Sequence, residues 1–235
     1  MRSFDFLFIL KVIPSLLPGL KITGLMVLWT VIFGSFFGFF LAKFKEGKNK
    51  FLKNFANTYT YVIRSTPSII LLFIVYYGLP ELLNAITGID FNNYSRLFFV
   101  VITFTLFFSA SMSEVMRSAY NSIDKGQREA AVSIGLTDFQ AFYRIVLPQC
   151  MVVALPNLSN SLILLMKEGA LGFTIGLIDV MGKGNLIIGK NYGAYALETY
   201  IALAIIYWTL TIIIEKSFMM LEKKLSKGTK LVSAN

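Results

Sequence analysis

The 235-residue sequence predicts an all-α integral membrane protein with five transmembrane helices, a polar cytoplasmic helix pair between the third and fourth, an outside N-terminus and a cytoplasmic C-terminus. Three observations carry that prediction. The chain is 56% hydrophobic and only 15% charged, with a mean hydropathy of +0.67, far from the ordinary soluble range. Five apolar stretches reach the roughly 20 residues that a spanning helix needs. The net charge of +9 is gathered in short runs between those stretches rather than on one basic face, which points to membrane orientation and away from nucleic acid.

In chain order, the N-terminal segment MRSFDFLFILKVIPSLLPGLK has an apolar run interrupted by Lys11, Pro14 and Pro18 and no small-residue cleavage site. It is expected to be a retained interfacial helix, not a signal peptide. The spans follow at about Leu20 to Ala42, Tyr59 to Leu79, Leu97 to Met116, Met151 to Leu177 and Tyr195 to Met219. Placing the first loop, FKEGKNKFLKN, in the cytoplasm gathers Lys43, Lys45, Lys48, Lys50 and Lys53 there, with Arg64 where the second span begins. The third connection adds Arg117, Lys125, Arg128 and Arg144, and the tail adds Lys216, Lys223, Lys224, Lys227 and Lys230. Fifteen of the 22 basic residues then lie inside, which fixes the orientation. Arg2, Lys11, Lys21, Arg96, Lys183 and Lys190 remain outside, and Lys167 lies within a span. Gly34 and Gly38 in the first span, and Gly169, Gly172 and Gly176 in the fourth, suit close helix packing or a hinge, with Gly172 and Gly176 at GxxxG spacing. With no internal repeat or low-complexity linker, residues 1–235 are expected to form a single transmembrane domain.

Composition narrows the chemistry. A lone cysteine, Cys150, forms no internal disulfide, and the absence of histidine removes the usual zinc ligands and histidine bases. No nucleophile-base pair supports a membrane-embedded enzyme. Gly184 to Asn191 nearly spells a P-loop, but Asn191 replaces the Ser or Thr that would hold magnesium, and the stretch follows no strand and lies outside. No metal or cofactor is therefore expected on this chain.

The polar segment GQREAAVSIGLTDFQAFYRIVLPQ, Gly126 to Gln149, parses as two short helices around one glycine. Asp124 is expected to cap the first, with Gln127 as its capping-box partner. Gly135 suits a left-handed terminus with Leu136 folding back. Thr137 and Gln140 form a second capping box, and Phe139, Phe142, Tyr143 and Val146 repeat on one face until Pro148. Residues 124–148 thus predict a rigid bend that exposes Ala130, Ala131 and Ile134 to a partner. The other reading is an amphipathic helix on the inner leaflet, against which stand its sparse basic residues and the acids Glu129 and Asp138.

Glu129-Ala130-Ala131, Gly135, Ile145 and Leu147-Pro148 stand in the register of the EAA motif, so the chain resembles the permease subunits of bacterial ATP-binding-cassette importers. The resemblance extends to the branch for polar amino acids through RSTPSIILLFIVYYGLP (Arg64 to Pro80), SEVMRSAYNSIDKGQREAA (Ser113 to Ala131) and LPNLSNSLILLMKE (Leu155 to Glu168). It implies a coupling helix at Glu129, Ala130, Ala131, Gly135, Ile145, Leu147 and Pro148 that docks on a dimer of ATPase subunits, where ATP and magnesium are bound. It further implies a second permease copy or paralogue, an extracellular substrate-binding protein, an amino acid substrate and a multi-pass location in the bacterial cytoplasmic membrane. GFTIGLIDVMGKGN, Gly172 to Asn185, is similar to members that import cystine, which makes L-cystine the first substrate expectation.

Polar residues inside spans are expensive and mark function. Asn157, Asn160 and Lys167 fall near one helical face, with Glu168 beside them about midway along the apolar segment, and these are the candidate substrate path. A lysine and a glutamate would match the carboxylate and ammonium of an amino acid; the alternative is a structural pair across a dimer interface. Many relatives carry Thr-Ser or Ser-Ser after the acidic residue, where this chain has Gly169-Ala170. Glu114 is a further path candidate, or else a local brace with Arg117. A second function reading is a gradient-driven carrier or channel using Lys167 and Glu168, which leaves the ordered bend without a purpose.

Overall fold

The computed structural model describes residues 4–91 and 93–226; Arg2, Lys227 and Lys230 of the orientation argument lie outside them. All regular elements among the described residues are helical. Helix α1 (Phe6–Leu16) is capped by Asp5, passes through a 3-10 turn at Leu17–Gly19 and runs into α2 (Leu20–Glu46). Next come α3 (Lys50–Ser65), α4 (Ser68–Phe73), a π-helical turn at Ile74–Gly78 and α5 (Leu79–Thr87). Helix α6 is Arg96–Asn121, α7 is Lys125–Ser133 and α8 is Asp138–Ala141. A second π turn, Phe142–Val146, leads into α9 (Leu147–Gly169), a 3-10 segment (Ala170–Ile175), α10 (Val180–Lys190) and α11 (Ala196–Ser226). Among the described residues, five helical stretches are long and apolar enough to cross a bilayer: Phe6–Glu46, Ser68–Thr87, Arg96–Asn121, Asp138–Ile175 and Ala196–Ser226.

The second span differs from the expected Tyr59 to Leu79. Thr66 is extended (φ −89°, ψ 128°) because the following Pro67 disfavours helical backbone, so the helix stops at Ser65 and restarts at Ser68. Tyr59 and Arg64 therefore belong to α3, and the spanning stretch continues to Thr87. The N-terminal helix also departs from a purely interfacial role. Its Ile9, Val12 and Leu16 are buried with Val180, Ala202, Leu203 and Ile206, so its apolar face packs on α10 and α11.

Close packing decides the glycines. A Cβ on Gly34 would lie 2.8 Å from Phe108 Cδ1, and one on Gly38 would lie 2.7 Å from Met112 Cβ, so this GxxxG pair lets α2 lie directly on α6. Gly172 and Gly176 do otherwise: Gly172 accommodates Leu177 and Val100, and Gly176 takes φ +83° to end the 3-10 segment. The near-P-loop at Gly184 to Asn191 is mostly the body of α10, where Gly184 is pressed against Leu203.

Two buried hydroxyls in the bundle turn back onto their own helices. Thr60 Oγ1 donates to Ala56 O (2.8 Å) and Thr103 Oγ1 to Phe99 O (2.8 Å), which spares each a desolvated, unpaired donor. A corner near residues 19 and 179 is denser still. Asp179 is fully buried; its Oδ1 caps α10 by accepting from Gly182 N (2.8 Å). Burial pushes this carboxyl up to about 6, against the lowering effect of the Gly182 N–H.

Candidate functional site

The polar bend is built from backbone caps. Asp124 Oδ1 accepts from Gly126 N (2.7 Å), while Gln127 donates its own N–H to Asp124 O, so Asp124 caps α7 without the reciprocal box expected with Gln127. At the other end Gly135 takes φ +95°, its N–H reaches Val132 O (2.9 Å), and Leu136 N reaches Ala131 O (3.2 Å). That pair of bonds is a Schellman motif, as the sequence predicts. Thr137 and Gln140 exchange both bonds of the second capping box, at 3.0 and 3.2 Å. Arg128 Nη2 meets Asp138 Oδ1 at 2.8 Å across the bend. This surface ion pair adds little energy, but it ties α7 to α8.

Exposure sorts the bend into an anchor and a presented face. Ala131, expected at the surface, is only 5% exposed, because it occupies the face of α7 turned toward the helix that follows. Val146 is buried with Ala119 and Cys150, and Phe142 packs on the same cluster, so half of the expected face roots the bend on the C-terminal end of α6. Glu129, Ala130 and Gly135 are exposed, as are Ile134 (82%), Phe139 (73%) and Tyr143 (61%), the last two stacked 6.0 Å apart. Ile145 and Leu147 are half-buried and Pro148 is exposed.

Pro148 does not separate the bend from the fourth span. It follows the π turn, in which Leu147 N donates to Phe142 O, so helical backbone continues past Pro148 although Pro148 itself donates no hydrogen bond. Helical backbone therefore continues from Asp138 to Gly169, with Pro156 inside it lacking the N–H that would reach Val152 O.

Along α9 Asn157, Asn160, Leu164 and Lys167 are all exposed, at spacings of three, four and three residues. One side of a membrane-spanning helix thus carries two amides and an ammonium, a surface that hydrocarbon does not solvate. Lys167 and Glu168 lie in the last turn of α9, not midway along it, because the α-helix ends at Gly169. Glu168 turns to α4, where the Ser68 hydroxyl donates to its Oε2. Among the described residues no ion pair joins Lys167 to Glu168.

Sequence reasoning missed Lys45. Counted with the loop lysines, it is 3% exposed and spends its ammonium on Thr60 Oγ1 (2.7 Å), Ser113 Oγ (2.9 Å) and Glu114 Oε1 (2.7 Å). Glu114 Oε2 also accepts from Arg117 Nη2 (2.9 Å). Helices α2, α3 and α6 are thereby pinned at one buried ammonium near the base of the bend. The signal was present: Gly34, Gly38, Ala42 and Lys45 extend one stripe of α2, so Lys45 shares the face that packs on α6.

Relatives of known name align with nearly the whole chain. It is 37% identical over 233 residues to the L-cystine transport system permease protein TcyL of Bacillus subtilis (strain 168), covering 99% of this chain and 96% of that protein. It is 35% identical over 227 residues to the probable amino-acid permease protein YxeN of the same organism, covering 97% and 98%. Among solved structures, an amino acid ABC transporter with histidines superposes with a TM-score of 0.81 at 30% identity, over 95% of this chain and 100% of that one. The family described as binding-protein-dependent transport system inner membrane component matches residues 34–227, and with five apolar spans the chain is a multi-pass membrane protein of that family.

Proposed function

We propose that this chain is the permease subunit of an ATP-driven importer of polar amino acids in the bacterial cytoplasmic membrane, and that the amino acid it passes is L-cystine. The observation that carries the reading is the continuous helical backbone joining the exposed face of the bend to the polar stripe of α9. Whatever grips Ile134, Phe139 and Tyr143 moves Asn157, Asn160 and Lys167 with them. The chain works beside a second permease, with the α9 stripes of the pair facing a shared path rather than lipid. Closure of two partner ATPase subunits, which hold the nucleotide and magnesium, draws two bends together and opens the path to an extracellular binding protein. Glu129, Ala130, Gly135, Ile145, Leu147 and Pro148 transmit force, and Ala131 seats α7. Lys167 meets the substrate carboxylate; Glu168, held by Ser68, stands near its ammonium. Glu114 serves as a brace through Lys45 and Arg117. The orientation, with the bend inside and the N-terminus outside, is supported by the basic-residue asymmetry. Cystine is supported by the relative that bears that substrate in its name.

The test is isolation of the tagged chain from its native membrane, followed by ATPase assay and cystine uptake. A copurifying ATPase and uptake that needs ATP support the reading; a lone chain that transports on an ion gradient overturns it. Gly135→Val sharpens the test. A Cβ there meets nothing within 4 Å, so only the positive φ opposes valine, and the variant is expected to reach the membrane yet lose uptake by about tenfold or more.

A further inference from the structure

A cavity apart from the candidate site lies between α2, α3 and α6. It measures about 730 Å³, and its walls include Trp29, Phe37, Phe44, Phe55, Val101 and Leu106. Such a volume falls in the range of about 300–1,000 Å³ typical of specific ligand sites. From Trp29 to Phe44 the groove follows sixteen residues of α2, a rise of about 22 Å, which exceeds the roughly 15 Å depth of one bilayer leaflet. The Tyr59 hydroxyl, one of its few polar atoms, lies 2.9 Å from Ser109 Oγ and 3.1 Å from Leu106 O. An amino acid placed here would leave its ammonium and carboxylate unmatched, whereas a hydrocarbon chain would leave nothing unpaired.

One end of the groove is basic. Phe44 and Phe55 flank the connection between α2 and α3, where Lys43, Lys48, Lys50 and Lys53 are exposed. The acid in that stretch, Glu46, accepts from Asn121 Nδ2 (3.0 Å), and Lys45 is already consumed by Glu114. A long apolar trough that opens beside four solvent-facing ammonium groups complements an amphiphile with an anionic head.

We propose that this groove binds an anionic phospholipid, one acyl chain lying along the aromatic side chains of α2 and the phosphate meeting the lysines of the α2–α3 connection. The assignment is independent of the transported substrate. It needs only that the chain spans a bilayer.

Native mass spectrometry of the intact detergent-solubilised transporter tests it, with phosphatidylglycerol or phosphatidylcholine of identical palmitoyl and oleoyl chains added. Phosphatidylglycerol is expected to be retained over phosphatidylcholine by about tenfold or more, and the triple variant Lys48→Gln, Lys50→Gln, Lys53→Gln is expected to lose that preference. Ile102→Trp fills the groove without changing charge and is expected to abolish retention of phosphatidylglycerol; Val101→Phe serves if the tryptophan variant does not assemble. Equal retention of the two lipids by the natural chain, or undiminished retention once the groove is filled, overturns the proposal. So does efficient disulfide cross-linking of Val101→Cys between two copies in the membrane, which would make the occupant a second chain.

Discussion

The two extremities of the bundle are made by opposite means. At the corner formed by Gly19, Thr23 and residues 176–184, backbone lies against backbone: a Cβ on Gly182 would fall 2.1 Å from Leu177 O, and one on Gly19 would fall 2.7 Å from Asp179 O. At the bend from Asp124 to Pro148, Gly135 stands in open space, and Ile134, Phe139 and Tyr143 point outward. Caps and one surface ion pair hold the bend, whereas steric closure holds the corner. Glycine thus serves two purposes, closing an end that holds itself and turning an end made to be held.

The comparison is broken most severely at the corner. Gly182→Val sets a branched side chain against a carbonyl that cannot swing away, and a loss of about 4 kcal/mol or more is expected, seen as failure to accumulate in membranes. Between the extremities, Lys45→Met strands Glu114 with Arg117 alone and leaves two hydroxyls short of a partner. About 3–5 kcal/mol should be lost, read as a lower Tm in detergent, and a Tm within error of the natural chain would refute the pin.

Asp179 gives a smaller, pH-dependent effect. Its folded pKa of about 6 lies above the ordinary 3.8, so its proton stabilises the fold fully below the ordinary value and that benefit is lost as pH rises to about 6. Asp179→Asn keeps an oxygen for Gly182 N–H and removes the titration. It should raise stability at pH 7 by up to about 3 kcal/mol and flatten the Tm profile between pH 4 and 7, whereas a parallel, undisplaced profile would contradict a buried ionised carboxylate. The smallest effect on stability belongs to the bend. Ile134→Ser, at an 82% exposed position, should change stability by less than about 0.5 kcal/mol while weakening copurification of the ATPase about tenfold. A stability loss there as large as that of Lys45→Met would erase the distinction between the two ends.

What the sequence disclosed follows the same division. Local rules located the bend well: the Schellman glycine at Gly135 and the box at Thr137 and Gln140 depend on neighbours a few residues away, and both formed as expected. The stripe of Asn157, Asn160 and Lys167 was visible from helical spacing alone. The interruption at Thr66 was legible too, in Pro67, but hydropathy carried the second span across it. Long-range facts were hidden. Lys45 looked like one more loop lysine until α3 and α6 brought Thr60, Ser113 and Glu114 around it, from up to 69 residues away. The glycines of Gly172 to Asn185, which look like a substrate-branch signature in sequence, prove to be places where Leu177, Leu203 and Arg96 approach the backbone. Much of that resemblance therefore reports fold, and the pointer to cystine from that stretch is correspondingly lighter.

The π turn at Phe142–Val146 sets a phase. Each residue of an α-helix advances the side chain by about 100°, and a π turn absorbs one residue more than an α turn over the same rise. The azimuth at which Asn157, Asn160 and Lys167 emerge is thus fixed relative to the bend by that single additional residue. The turn works as a keyway on a shaft: it leaves the length of the rod almost unchanged and determines which way its polar side faces when the far end is turned.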